Sequence, residues 1–427
     1  MLAGTAGGAL LAGCSGQSQV PPSLAFDGSD FAEARLSAIM RHGFIPSVNS
    51  LVIDQAAGWS ESVNATVAFS HRDNWQERYQ EAATLRRGED IAELFGSAPH
   101  LFGDSLLDLS DLAEEVGESS GGWMSIARSS AMVNGAWRAI PWAYTAQALN
   151  YRPSILDAAG VGVPETWDEL LNAATVLREQ QLPLAAFSMS GRSPNDSANL
   201  AYSLLWAFGG AEVDGASGRV ALDSTQTRDA LAYFRDLSQV TDPSGREFSE
   251  TSNDDLFLAG KVSITQNDSS LFWRAGNEAP EIAADMGHSQ LPSGPNGSQH
   301  LLEVNALAVF EHSRNKAAAI DLIRHLVLPE RLRERTKLAA AFFIPPLVDY
   351  RDDEEMPWNT VPALAPWRDN GFSGRLPGWP GQAGQEASLV FRNGSIVNMF
   401  ASAARGDRTL DSTVRIATQE LQRVYET

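Results

Sequence analysis

One stretch constrains this chain more than any other: residues 140–171, IPWAYTAQALNYRPSILDAAGVGVPETWDELL. Pro141 cannot donate to a sheet ladder, so Trp142 and Tyr144 behind it are expected on a loop or a strand edge. Residues 146–151 read as a short strand, and residues 153–159 start a helix that Gly160 stops. Residues 164–170 then form a turn into Thr166, with Glu169 three positions on, the pattern of a capping box. A loop, a strand and the entry to a helix are thus joined in one run. Earlier in the chain, strands alternate with helices: residues 38–45, helix 51–59, strand 65–70, helix 76–87. That alternation predicts a parallel α/β sheet. In such sheets ligands sit beyond the carboxyl ends of strands, which makes Ser70, Arg72 and Asp73 candidates by position.

The order Pro, aromatic pair, strand ending in Asn150-Tyr151, short helix, Ala159-Gly160 and Pro164-x-Thr166-Trp167-Asp168-Glu169-Leu170 resembles the extracellular solute-binding proteins of bacterial ABC importers, the maltose-binding-protein-like group. Phe257-Leu258-Ala259-Gly260-Lys261-Val262 is similar to that family's strand entry, and Glu303-Val304-Asn305-Ala306-Leu307 to its returning hinge strand. The resemblance runs from about residue 70 to residue 426. It implies an α/β chain with a two-lobed periplasmic-binding-protein fold (type II, maltose-binding-protein-like) and hinge strands between the lobes. Residues 33–145 and 303–350 are expected in the first lobe, and 146–302 and 351–427 in the second. The function it implies is capture of a carbohydrate in the interlobe cleft and delivery to the transmembrane subunits of an ABC permease, with no catalysis and no cofactor.

The chain opens with MLAGTAGGALLAGCSG, whose Leu11-Ala12-Gly13-Cys14 resembles the lipobox of a bacterial lipoprotein. Cys14 is the only cysteine of 427 residues, so no internal disulfide can form. A lipid anchor at Cys14, followed by a flexible tether over residues 15–32, is therefore expected, with the protein in the periplasm or at the cell surface. No Lys or Arg precedes Arg35, unlike a secretory n-region. Beyond the first 14 residues nothing approaches the ~18 apolar residues of a membrane span, so the membrane is expected to be met only through the anchor. The net charge of -21 argues against nucleic acid and against docking on an anionic lipid surface. The chain is expected to work as a monomer.

Catalytic signatures do not stand out. There is no Walker-type phosphate loop, no Cys/His metal spacing and no Gly-x-Ser-x-Gly elbow. The seven His residues include no pair spaced i, i+4. Asp254-Asp255 and Asp352-Asp353-Glu354-Glu355 read as solvated faces rather than as a glycosidase pair.

What remains is an aromatic set, 11 Trp in all. Sugars offer C–H faces that pack on flat rings and hydroxyls that must be hydrogen-bonded once dehydrated. Aromatics with polar company are therefore the candidates: Trp142 and Tyr144, Trp206 near Asn195 and Asp196, Trp273 near Asn267, Asp268 and Ser269, and Trp379. Each could equally be a core or lid aromatic. By the resemblance, Glu303 and Asn305 lie beside the cleft. Two other readings are kept: a receptor for a polyamine or other small cation, favoured by the acidic balance, and a surface glycoside-active enzyme.

Overall fold

A computed structural model of the chain describes residues 31, 33–41, 43–72, 75–191 and 194–426. Cys14, Asp73 and the Arg72 side chain lie outside the described residues, as does the expected tether except for Phe31, which is buried in the first apolar cluster rather than part of a free tether. The backbone builds two main sheets, each with its own apolar cluster.

The first sheet runs in the order Thr66–Arg72, Arg35–Arg41, Ile91–Phe95, Leu302–Val309, Ile140–Ala146. Its first three strands are parallel, joined by the helices Pro46–Val63 and Trp75–Leu85. Leu302–Val309 comes back from far along the chain and pairs antiparallel with Ile91–Phe95 and Ile140–Ala146. The alternation of strand and helix was legible, with the first strand and helix each beginning several residues earlier than expected.

Ile140–Ala146 is a strand buried along its whole length. Pro141 is tolerated there because the strand is at the edge of the sheet and the register shifts at Asn305/Ala306, opposite the proline. The outer edge is closed by reciprocal Tyr144 and Ile344 backbone hydrogen bonds of 2.8 and 3.0 Å.

Only Gln147 separates this strand from Ala148–Tyr151, a strand of the second sheet. That sheet runs Gly287–Ser289, Ala148–Tyr151, Val262–Asn267, Leu184–Ala186. The chain thus passes from one sheet to the other at Gln147 and returns before Leu302. Local signals hold along the way. Gly160 ends the helix Pro153–Ala159 with φ 71°, a left-handed conformation that a side chain disfavours. Thr166 and Glu169 form the reciprocal capping box of the helix Trp167–Glu179, each bond 3.2 Å.

The first cluster gathers Ile39, Trp59, Leu94, Tyr144 and Phe310, and the second Leu149, Trp167, Leu204, Trp206 and Phe400. The C-terminal helices Gln385–Arg392, Ser395–Arg405 and Leu410–Tyr425 contribute Val390, Phe400, Val414 and Leu421 to the second. Met356, Trp358, Leu364, Trp367 and Leu376 pack instead into the first, although residues 351–427 were expected with the second lobe. Their apolar side chains have the first sheet's edge to cover, and the Trp367 indole donates to the Ala146 carbonyl at 3.0 Å.

Candidate functional site

Strand ends of the two sheets face each other where the chain crosses. On the first lobe Arg41 closes the strand Arg35–Arg41, its guanidinium 4.6 Å from the Phe95 ring centre. Its backbone N–H donates to Glu93 Oε2 at 3.1 Å, and the Trp142 indole donates to Glu93 Oε1 at 3.1 Å. The Arg335 guanidinium lies 4.2 Å over the Trp142 ring. Burial pushes Glu93 up, and the Arg41 backbone N–H, the Arg41 charge, Trp142 and Arg335 oppose it. Burial likewise pushes Arg335 down to about 9, with Glu93 opposing. Glu303 and Asn305, two apart on one strand, share a face. Thr145 stands opposite Glu303 in the ladder.

The second lobe supplies a buried amide and carboxylate chain. Gln266 donates to Gln147 Oε1 at 2.7 Å, Gln147 donates to Asp196 Oδ1 at 2.7 Å, and Asn253 donates to Asp196 Oδ2 at 3.1 Å. Asn199 reaches across to donate to Glu303 Oε1 at 2.8 Å, tying the lobes together at the crossing. Asn267 donates to Asp254, which also pairs with Arg274 at 3.2 Å.

Burial dominates the protonation of this set. It drives Asp196 well above the usual carboxylate range, and Asp254, Asp268 and Glu250 push the same way. Glu303 is raised to about 7 by burial, opposed by Arg41 and reinforced by Asp268 and Glu250. Asp254 rises to about 7 and Asp268 to about 6, each again chiefly through burial. Groups that shift each other in this way share one poorly hydrated space.

A side pocket lined by Gln76, Phe95, Ser97, Glu303, Ser388 and Arg392 opens from this crossing. It shares Leu101 and Phe102 with a groove of about 1130 Å³ whose wall includes His100, Asp104, Arg375, Trp379 and Gln385.

The expected site residues divide. Asp196, Asn267, Glu303 and Asn305 belong to the polar crossing, and Asn195 adjoins it through a backbone hydrogen bond to Glu250. Ser70, half-buried, sits near the carboxyl end of its strand, in register with Ile39.

The aromatics are placed otherwise. Tyr144 is fully buried, its hydroxyl accepting from the Gly371 backbone at 3.1 Å, because the segment behind Pro141 is a strand covered on both faces rather than a loop. Trp142 is buried in the same strand and occupied by Glu93 and Arg335, though its ring lines a small cavity beside Arg41. Trp206 is 0% exposed within the second cluster, held between Tyr202 at 5.0 Å and Trp379 at 5.9 Å. Trp273 leaves the second lobe on the helix Ser270–Glu278 and packs against an apolar cluster of the first, Ile45, Val48, Ala339 and Phe342 with Phe44 and Phe343. Trp379 alone lines the large groove, its ring 5.3 Å from the Arg375 guanidinium.

Arg41, Gln147, Asn199, Glu250, Asn253 and Gln266 were not singled out from the sequence, and Asp268 only as polar company of Trp273. The signal for Gln266 and Asp268 was present, since Gln266 lies at the carboxyl end of the apolar strand Val262–Asn267 and Asp268 directly follows it. Asp254 was read as solvated. On the helix Ser252–Leu258 successive residues point about 100° apart; Asp254 therefore faces inward while Asp255 stays in solvent.

No helix among the described residues is long and apolar enough to cross a membrane. The model of the bacterial extracellular solute-binding protein family matches residues 62–331. A probable ABC transporter-binding protein of Deinococcus radiodurans is 26% identical over 249 residues, 57% of this chain and 59% of that protein. A putative binding protein of Brucella abortus is 23% identical over 49% of this chain and 51% of its own length, so the match spans little more than half of these curated relatives. Among solved structures, maltose-bound MalE3 of T. maritima has a TM-score of 0.78 at 21% identity, covering 92% of this chain and 100% of that one. An ABC transporter solute-binding protein of Thermotoga lettingae, solved with alpha-D-tagatose bound, gives 0.79 at 16% identity with coverage of 92% and 100%. These neighbours share the two-lobed, maltose-binding-protein-like fold. With more than half of its length matched by the family model, the chain belongs to the bacterial extracellular solute-binding proteins.

Proposed function

We propose that the chain is the substrate-binding receptor of an ABC importer, that it takes a carbohydrate between its lobes, and that it presents the filled form to the permease. One observation carries the reading: polar side chains from both lobes converge where the chain crosses, with the half-buried Arg41 and the buried Glu303 and Asn305 on one side and the buried Asp196, Asn253, Gln266 and Asn267 on the other. A buried hydrogen-bonding surface divided between two lobes is what a hydroxyl-rich solute needs, because each hydroxyl removed from water must find a new partner. The bound sugars of the maltose and tagatose neighbours support the carbohydrate class. Only a solute touching both lobes favours their closure, which gives the permease a filled form to recognise. The receptor acts as a monomer outside the cytoplasm, held by a lipid at Cys14. It turns nothing over, so chromogenic glycosides release no chromophore.

Differential scanning fluorimetry against monosaccharides, disaccharides, polyols and amines tests this. A true solute at a hundred times its Kd adds about 2.7 kcal/mol of stability, and at least one carbohydrate is expected to raise the melting temperature in this way. A panel in which no carbohydrate shifts the melt contradicts the reading.

A further inference from the structure

We infer that the solute carries a small alkyl group, a methyl, and that on the carbohydrate reading above, on which this rests, it is a methyl-bearing sugar. The first lobe holds a cavity of about 40 Å³ walled by Met40, Val48, Val52, Leu332, Phe342 and Phe343. It adjoins the polar crossing. Glu303 and Asn305 share one face of their strand, with Thr145 and Ala143 directly opposite them in the ladder. Asn305, Thr145 and Ala143 line the cavity together with Arg41. A solute hydrogen-bonded at the crossing therefore lies next to an apolar recess. Arg41, Phe44 and Phe343 are half-buried at this recess. Trp273 of the second lobe packs against the apolar cluster that also takes in Phe44 and Phe343, so both lobes border it.

What fills the recess follows from its lining and its size. Its other polar side chains are already engaged by the protein. Glu93 accepts from the Arg41 backbone N–H and from the Trp142 indole. Arg335 donates to the Leu326 carbonyl at 2.6 Å, Thr336 to the Leu332 carbonyl at 2.9 Å and Asn49 to the Gly43 carbonyl at 3.3 Å. A hydroxyl placed among them gives up its water partners and finds few in return. A methyl gives up none, and it makes the contacts that an unfilled void forfeits. An aryl group is excluded by volume, because a benzene ring takes a cavity of roughly 150 Å³. One carbon more or less in such a pocket changes binding by about 10- to 200-fold.

The test is calorimetric titration of the purified chain with sugars paired by a single group: D-quinovose against D-glucose, D-fucose against D-galactose, L-rhamnose against L-mannose, methyl glucoside against glucose, and N-acetylglucosamine against glucosamine. The pairs tell a methyl on the ring from a glycosidic or an acetyl one. In at least one pair the methyl-bearing sugar is expected to bind about tenfold more tightly or better. Ala143→Val adds bulk to the cavity wall and is expected to remove that preference, with a thermal melt to show that it folds. Xenon followed by NMR probes the wild-type cavity without any sugar, since apolar cavities that stay dry take it up. Saturable xenon binding is expected in the wild type and its loss in Ala143→Val. Hydroxyl-bearing partners that bind as tightly in every pair, a preference that survives in folded Ala143→Val, or a wild-type chain that takes up no xenon overturns the inference. If xenon binds and no sugar does, the apolar recess stands and the carbohydrate reading falls. If sugars bind without preference, the carbohydrate reading stands and the methyl falls.

Discussion

Trp206→Ala is expected to cost about 3–5 kcal/mol of stability while solute affinity stays within a few-fold of the wild type. Trp206 is 0% exposed on the helix Pro194–Ala207, with Tyr202 and Trp379 packed on its ring. Its indole N–H has no hydrogen-bond partner, so truncation removes packing and leaves no orphaned partner group behind. The loss is therefore that of a large buried side chain plus the cavity it leaves. Urea melts and calorimetric titration of the same variant separate the two roles. An unchanged melt with lost binding would return Trp206 to the solute surface.

Ligand-free protein is expected to lose stability as the pH rises from about 5 to 8. Glu303 and Glu212, both buried, have folded values of about 7 against an ordinary 4.5, and Asp254 of about 7 against 3.8. In each case burial is the leading cause. A carboxyl whose folded pKa is raised keeps its proton in the folded state after the unfolded chain has released it. The stability it contributes is fully present below the unfolded pKa and is lost as the pH climbs through the folded one. At about 1.4 kcal/mol per pKa unit, Glu303 alone accounts for roughly 3 kcal/mol. The crossing carboxylates influence one another, so their effects do not simply add. Urea melts at pH 5, 6, 7 and 8 should show the decline, and Glu303→Gln should flatten it. A profile that rises over this range contradicts the burial of these groups.

The frame of the molecule was legible because its signals are local. Thr166 with Glu169, Gly160 after a short helix, and the strand and helix alternation of the first hundred residues each act within a few positions. The crossing at Gln147 lies inside the stretch that carries the family resemblance. Trp142 and Tyr144, read onto a loop or a strand edge, lie on the edge strand of the first sheet. Their burial was not legible because a strand buried on both faces shows no alternation, and Pro141 marks the register shift. Trp206 had polar neighbours in sequence, Asn195 and Asp196, that lie three turns away along its helix. The polar half of the site depends on residues distant in sequence: Asn199 with Glu303, Asn253 with Asp196, Gln147 with Gln266. No local pattern reports such pairs.

A solute seated between the two lobes should hold them together, and small-angle scattering reads that closure. In the structure the lobes touch, Trp273 of one lying against the Phe44 and Phe343 side of the other. Without solute, part of the population is expected to be open, with a radius of gyration above that calculated from the structure. Saturation with a solute identified by the thermal panel should bring the radius down to the calculated value at unchanged mass. A solute that binds to saturation and leaves the scattering curve unchanged would contradict the claim.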